Sequence, residues 1–256
     1  MSAPASAARA PIRPRTHGPV QLCLEIVFGL LFMALFSWFV GLAIEIVGSY
    51  TLWKEQGTRH AQRMVQQDMD YIAAAPRSLL VDDTAAFARR LCGWIARPYE
   101  RLGVPSWHAR LDPAPGSPEE AALAASLGAS KGTARAARAI GRHLSRWALS
   151  SMYVAQDVAL RLSVALFALP AFALACLVGV VDGLVRRDLR RWQGGRESSF
   201  VYHHAKRYTV WALTGGFSLY LTWPFGGFNP AYMVLVFTVL VAATLSTTVA
   251  AFKKYV

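Results

Sequence analysis

Four long apolar stretches limit what this chain can fold into more than any other feature. They cover about residues 20–47, 162–181, 208–223 and 231–252, and a helix of roughly 20 apolar residues crosses a hydrocarbon core about 30 Å thick. Charged residues make up only 16% of the 256 residues, whereas an average soluble domain has about 25%. The sequence therefore predicts an all-α integral membrane protein with four transmembrane helices.

Charged residues border the first two stretches and leave their centres apolar. Glu25 and Glu45 flank the first stretch. A carboxylate costs on the order of 3 kcal/mol at the bilayer centre and much less near headgroup water, so we expect both at the interfaces; a role as functional acids inside the membrane is the alternative. Asp157 and Arg161 precede the second stretch at i, i+4 spacing, which predicts an ion pair where the helix leaves water.

The other stretch ends also carry membrane signals. The third stretch is short and contains Gly215 and Gly216, but tyrosine and tryptophan stand at both of its ends, as interfacial anchors do. The first apolar stretch follows a basic leader, as the apolar core of a signal peptide does. The stretch is longer than the roughly 7–15 residues of such a core, and no small-residue cleavage site stands at its end. We therefore expect an uncleaved membrane anchor.

Lysine and arginine give the orientation. The N-terminal arm, the loop after the second stretch and the chain end are basic, whereas the turn 225–230 carries no charge. Short basic segments stay in the cytoplasm, and four spans place all three on that side. Segment 48–156 then lies on the far side; it is basic too, but loops longer than about 60 residues translocate largely regardless of charge. Three spans, the alternative, would leave the arginines of 186–191 outside.

The predicted organisation follows from these spans. Both termini lie in the cytoplasm, and the segment between the first two spans is a helical domain on the far side. The segments are the arm 1–19, the first span 20–47, the far-side domain 48–156, the second span 157–181, the basic cytoplasmic loop 182–207, the third span 208–224, the far-side turn 225–230, the fourth span 231–252 and the cytoplasmic tail 253–256.

Helices are predicted inside the far-side domain. We expect one over 56–74 and one over 84–102. The second has aspartates 82–83 as caps and apolar residues at helical spacing, with a break or kink at Pro98. The proline- and glycine-rich residues 103–118 are predicted to form a loop.

An alanine-rich helix is predicted after this loop. Ser117 as N-cap and Pro118 at the first helical position form its start. The helix runs towards the second span, with glycines 128 and 132 as breaks. Four arginines on it are three or four residues apart and form one stripe. We favour a solvated face for this stripe over a surface for anionic lipid or nucleic acid; its members are Arg135, Arg138, Arg142 and Arg146.

The sequence lacks motifs for catalysis, metals and cofactors. It has no Walker-type P-loop, G-x-G-x-x-G or G-x-S-x-G motif. The three cysteines form no metal pattern, and the adjacent His203 and His204 would point about 100° apart on a helix. The spans hold almost no polar residue, unlike those of transporters. We expect no enzymatic activity, no metal and no cofactor.

Small residues in the spans predict close helix packing. A G-x-x-x-G pattern ends the second span, and a glycine pair lies in the third. Packing among the chain's own helices is the favoured interpretation, and a homo- or hetero-oligomer interface is the alternative. The glycines are Gly179, Gly183, Gly215 and Gly216.

The second half of the chain resembles a known family. The arginine-rich run 186–191, the segment 194–207 (GGRESSFVYHHAKR), two further spans and the ending FKKYV resemble membrane proteins of integrating conjugative elements, a bacterial family encoded beside the conjugative coupling ATPase. The resemblance implies an inner-membrane accessory of DNA transfer by type IV secretion. Segments 48–156 and 225–230 would then be periplasmic. No catalytic residue is carried over.

From this resemblance we expect a non-enzymatic assembly or coupling factor. Its basic loop would lie against anionic headgroups, at roughly 1 kcal/mol per basic residue, and contact the coupling ATPase; arginines that only set the topology are the alternative. The other function considered is a regulatory or exclusion protein that senses an envelope partner through its periplasmic domain. Direct contact with nucleic acid is not expected. The predicted surface residues are Arg186, Arg187, Arg190, Arg191, Glu197, Ser198, Ser199, Phe200, Tyr202, Lys206 and Arg207.

Overall fold

The described part of the chain is all-helical, as predicted. A computed structural model describes residues 18–54, 56–74, 78–113, 117–129, 132–193, 216–223 and 229–251. Within these ranges there is no strand, and residues 216–221 form a further short helical segment. The longer helices are α1 (Pro19–Thr51), α2 (Arg59–Ala74), α3 (Thr84–Arg101), α4 (Val104–Leu111), α5 (Pro118–Ala129), α6 (Gly132–Phe167), α7 (Leu169–Trp192) and α8 (Pro230–Ala250).

Three described helices, rather than the four predicted, are long and apolar enough to span a membrane. They are Val27–Thr51, Leu169–Trp192 and Pro230–Ala250. The second begins at Leu169 and not at residue 157, because the chain before it belongs to α6, whose side chains pack against other helices. Of the predicted third span, 208–224, only residues 216–223 are described.

A turn at Ala168 separates α6 from α7. Pro170 stands in the first turn of α7, and it lacks the N–H that would otherwise donate to the carbonyl of Leu166. The ladder of α6 is interrupted there, and α7 continues as a separate helix. Residues 132–192 therefore form two consecutive helices, of which only the second is a candidate span.

Helix α6 packs against the second half of α1. The Trp38 indole donates to the carbonyl of Ser151 at 3.1 Å, and the Tyr50 hydroxyl lies 3.1 Å from Nδ1 of His143. Gly41 permits the close approach, since a Cβ there would lie 3.0 Å from a methyl of Val154. These contacts join the second half of α1 to the central part of α6.

Helices α2, α3 and α4 pack around α6, and we call α2–α6 the helical domain. One apolar cluster includes Val65, Ile72 and Leu160, and another includes Val104 and Leu149. Polar contacts also hold α3 to α6: the Gln156 amide donates to the carbonyl of Cys92 at 3.1 Å, and the hydroxyls of Tyr99 and Ser151 lie 2.9 Å apart. The core of this domain therefore surrounds the central part of α6.

The helices predicted in this domain are largely confirmed. Asp83 caps α3 by accepting from the backbone N–H of Ala86 at 2.7 Å, and Ser117 accepts from the backbone N–H of Glu120 at the start of α5. Of the break or kink predicted at Pro98, the break is excluded, because α3 continues through Pro98 to Arg101. The prediction of a loop over residues 103–118 was wrong: they include α4 (Val104–Leu111), whose N-cap Gly103 has a left-handed conformation with φ of 70°.

Helices α7 and α8 run parallel to each other. A Cβ at Gly179 would lie 2.7 Å from the carbonyl oxygen of Ala242, and one at Gly183 would lie 2.7 Å from that of Ser246. Further along, a guanidinium nitrogen of Arg190 donates to the carbonyl of Ala250 at 3.3 Å. The contacts advance in the same direction on both helices. The two predicted glycines lie at the contact, where any side chain would collide with backbone.

The short helical segment 216–221 runs the other way. Gly216 lies where a side chain would collide with the ring of Phe237, whereas Tyr220 and Leu221 cluster with Met233. Later residues of this segment therefore meet earlier residues of α8. Gly215, predicted beside Gly216 as a packing residue, lies outside the described residues.

Candidate functional site

Arg161 is the centre of a buried group of charges between the helical domain and the membrane helices. Its Nε donates to Asp68 of α2 at 3.0 Å, and one terminal nitrogen lies 3.1 Å from Asp157 of α6. The exposed fractions of the three side chains are 5% for Arg161, 10% for Asp68 and 14% for Asp157. The ion pair predicted from the i, i+4 spacing is confirmed, but it lies in protein and not in headgroup water.

The same arginine holds the end of the segment 216–223. Its other terminal nitrogen donates to the carbonyl of Tyr220 at 3.0 Å and to that of Trp223 at 2.7 Å. The guanidinium carbon also lies 5.8 Å from the centre of the Tyr220 ring. Carbonyls at a helix C-terminus lack partners within the helix, and a cationic side chain satisfies them well. Arg161 thereby joins α2, α6 and the segment before α8.

Glu45 of α1 lies beside this group. It is 6% exposed, although the sequence predicts it at a water interface, and its Oε2 lies 2.9 Å from Nδ1 of His60 in α2. The His60 ring stacks on Trp53 with centroids 4.0 Å apart, and Gly48 leaves the space that the indole fills. We call Glu45, His60, Asp68, Asp157 and Arg161 the junction cluster.

A small cavity lies within the junction cluster. Its volume is about 30 Å³, and it lies between α1, α2, α6 and residues 221–223. Glu45 and Asp157 both line it, and each has one buried carboxylate oxygen, Oε1 and Oδ1 respectively, with no hydrogen-bond partner among the described residues. A water molecule needs about 10–15 Å³ by the same measure. The cavity therefore has room for one small polar species between two carboxylates.

Burial changes the chemistry of two groups here. It raises the pKa of the Asp157 carboxyl well above its usual range, and the opposing charge of Arg161 does not cancel the effect. Burial, with a smaller contribution from the charge of Asp157, raises the pKa of the Cys92 thiol to about 11. Cys92 is a buried free cysteine, and its thiol stays protonated at neutral pH.

Sequence reasoning found one pair of the junction cluster and missed the rest. Asp68 lies on the buried face of α2 together with Ala61, Met64, Val65 and Ile72. An aspartate inside an apolar stripe of period 3.6 is a signal for a buried partner, and it could have been read from the sequence. The pairing of Glu45 with His60 could not, because it depends on the direction of the chain between α1 and α2.

The predicted basic surface is only partly described, at the end of α7. Arg186 pairs with Asp182 at 2.9 Å, and Asp182 also accepts from the Ser246 hydroxyl of α8 at 2.5 Å. Arg191 is exposed. Arg187 lies 3.8 Å from Asp188, and Arg190 binds the end of α8. The other predicted members lie outside the described residues: Glu197, Ser198, Ser199, Phe200, Tyr202, Lys206 and Arg207.

The arginines of the predicted stripe on α6 make separate contacts with different parts of the chain. Arg135 donates to the carbonyls of Leu127 and Gly128 at the end of α5, and Arg138 donates to Ser126. Arg146 forms a two-bond ion pair with Asp112, at 2.6 and 2.9 Å. Three members of the stripe, which also includes Arg142, thus hold neighbouring parts of the helical domain.

The pKa values of Asp112 and His108 are both lowered, but for different reasons. Burial raises the pKa of the Asp112 carboxyl, but the hydrogen bonds and charge of Arg146 outweigh it, so the pKa is lowered overall. Burial lowers the pKa of the His108 imidazole. Across the described ranges, no three of His, Cys, Asp and Glu are placed to hold a metal ion.

Comparison with known proteins identifies the family. Residues 52–253 match the family described as IncC plasmid conjugative DNA transfer protein DtrJ-like. The chain belongs to the DtrJ-like family. The match covers the helical domain, α7 and α8, so the expected link to conjugative DNA transfer is confirmed for most of the chain. No curated protein and no solved structure matches it.

Proposed function

We propose that this DtrJ-like protein is a non-enzymatic assembly or coupling factor in a bacterial inner membrane, acting with the coupling ATPase of a type IV secretion apparatus. Family membership supports the process, conjugative DNA transfer. The observation that carries the proposed role is the locked parallel pair α7–α8, which presents arginines at one end. A pair fixed by backbone-to-glycine contacts holds a recognition surface at a defined place relative to the membrane.

The proposed topology has four crossings. Helices α7 and α8 are parallel, so the chain between Trp192 and Pro230 must return from one end of the pair to the other. The segment 216–221 already runs antiparallel to α8. A helix of 21 residues, the length of α8, is about 31 Å long at 1.5 Å per residue. We propose that the chain crosses the membrane back at the predicted third span, 208–224, of which residues 216–223 are described.

This topology places the basic segments together. The start of α1, the end of α7 and the end of α8 would all face the cytoplasm, as the positive-inside rule requires. The helical domain would be periplasmic. At the end of α7, Arg191 and Trp192 are exposed, Trp192 to 90%, and an exposed aromatic beside arginine suits both a lipid interface and a protein partner.

Co-purification tests the partnership. The full chain, expressed with its conjugative element, would be purified in detergent and examined for the coupling ATPase. We expect the ATPase to be retained, and Arg191→Glu with Trp192→Ala to reduce it at least tenfold. Arg97→Glu, at an exposed arginine of α3 in the helical domain, is the matched charge-reversal control. Equal recovery with the surface variant and the control would reject this surface as the contact.

A second function remains a defined alternative, the regulatory or exclusion protein that senses an envelope partner. The observation that favours it is the size of the helical domain, which extends from residue 59 to 167. The two functions differ in the cell that needs the protein. Deletion in the donor should reduce transfer if the protein is a coupling factor, whereas presence in the recipient should reduce transfer if it is an exclusion factor.

A further inference from the structure

The junction cluster has more buried carboxylates than buried cations. Glu45, Asp68 and Asp157 supply three carboxylates. Arg161 supplies one fixed positive charge, and the His60 imidazole can supply a second. One carboxylate therefore has no counter-charge even when His60 is protonated. An unpaired charge is expensive in a buried site, and such a group is normally neutralised by a proton.

The carboxylate oxygens without hydrogen-bond partners indicate where a proton neutralises the excess negative charge. Asp157 uses Oδ2 for Arg161, while its Oδ1 is buried without a partner among the described residues. Glu45 likewise uses Oε2 for His60 and leaves Oε1 buried. Both residues line the cavity of about 30 Å³. A protonated carboxyl gains a donor that a carboxylate lacks, so one proton converts two acceptors that cannot bind each other into a donor and an acceptor.

We propose that the junction cluster is a proton-binding site, in which Asp157 holds a proton at neutral pH, faces Glu45 across the cavity and has Asp68 as a second neighbouring carboxylate. The bound species is a proton, shared directly or through one water molecule. The cluster is then neutral when His60 is charged. The contact between the helical domain and the segment 216–223 becomes dependent on protonation, because Arg161 serves both the carboxylates and the carbonyls of Tyr220 and Trp223.

Groups from every packed element agree with this assignment. Asp157 faces Glu45 on α1, Asp68 on α2 and Arg161 on its own helix. Cys92 of α3 and Tyr220 of the segment 216–221 also lie close enough for a charged Asp157 to act on them, and neither can supply it with a positive counter-charge. Arg161 favours the carboxylate form of Asp157, whereas burial and the neighbouring carboxylates of Asp68 and Glu45 oppose it. Burial raises the pKa of Asp157 accordingly.

Infrared spectroscopy of the full chain in detergent tests the site directly. A protonated carboxylic acid has a carbonyl stretch separate from that of a carboxylate, and exposed carboxyls are ionised at pH 7. We expect the wild-type protein to show the acid band at pH 7 and to lose it reversibly as the pH rises. Asp157→Asn should remove the band, and Asp112→Asn, which changes an aspartate of lowered pKa, should leave it.

The outcomes separate clearly. No acid band in the wild-type protein at pH 7 would overturn the proposal, and this needs no variant to fold. A band that persists in Asp157→Asn would also overturn it, since the proton would lie elsewhere. If Asp157→Asn does not fold, Asp157→Glu replaces it: a shifted band supports the assignment, and an unchanged band rejects it.

Discussion

Arg146 and Arg161 lie on the same helix, bind aspartates, and yet differ in what they hold together. Arg146 is 38% exposed and pairs with Asp112 of the segment after α4, which is 28% exposed. Arg161 is 5% exposed and has four acceptors on three parts of the chain. An exposed ion pair stabilises one local contact, and water screens its charges. The buried arginine is instead the connection between the helical domain and the membrane helices.

Removal of Arg161 should have the largest effect. Arg161→Ala leaves the buried Asp68 carboxylate, the Asp157 carboxyl and two carbonyls without their cation, and breaking a buried pair on one side costs about 3–5 kcal/mol. We expect a loss of folded protein in detergent, measured by thermal unfolding. Arg161→Lys should recover only part of it, because a single ammonium cannot match the planar fork. A cost equal to that of Arg146→Ala would show that burial does not distinguish the two arginines.

The pH dependence should have opposite signs at the two sites. The pKa of Asp157 is raised by burial, so its contribution to stability is present below about pH 4 and is lost as the pH rises through its folded value. The pKa of Asp112 is lowered, so its contribution is present above about pH 4 and is lost as the pH falls. Each pH unit between the folded and unfolded pKa values changes stability by up to about 1.4 kcal/mol.

Thermal unfolding as a function of pH measures both. Asp157→Asn should flatten the decrease in Tm above pH 4, and Asp112→Asn should flatten the decrease below it. Each variant is the control for the other, since both replace a carboxyl by an amide on the same domain. Two variants that flatten the same side would contradict the assigned directions.

The parts of this site that the sequence could predict are those encoded locally. Asp157 and Arg161 are four residues apart on one helix, so their pairing follows from spacing alone. Asp68 stands in the apolar stripe of α2, so its burial, though not its partner, could be read from the sequence. Glu45 reaches the cluster only because α1 packs on α6, and its neighbours along the chain do not indicate that packing. The loop predicted over residues 103–118 was wrong for another reason. Gly103 and Pro105 indicate a turn, but a glycine N-cap followed by a proline in the first turn is also how α4 begins.

Arg146→Ala should have a moderate effect. The ion pair with Asp112 has two good hydrogen bonds but is partly open to water, so we expect a loss of about 1 kcal/mol. That corresponds to roughly 2–4 °C in Tm for a protein of this size. Arg97→Ala, an exposed arginine on α3, is the control for loss of one surface charge. A loss like that of Arg161→Ala would place Arg146 among the buried connections.

Salt should produce the smallest effect and separate the two sites most finely. Raising the ionic strength from 0.1 to 1 M shortens the Debye length from about 10 Å to about 3 Å. The coupling between Arg146 and Asp112, measured by a double-mutant cycle on unfolding, should fall by a few tenths of a kcal/mol, since exposed pairs contribute only about 0.2–1 kcal/mol. The coupling between Arg161 and Asp68 should stay the same, because counter-ions do not enter the buried cluster. Equal salt dependence of both couplings would show that water and ions reach Arg161. The buried pair would then be screened like the exposed pair of Arg146 and Asp112.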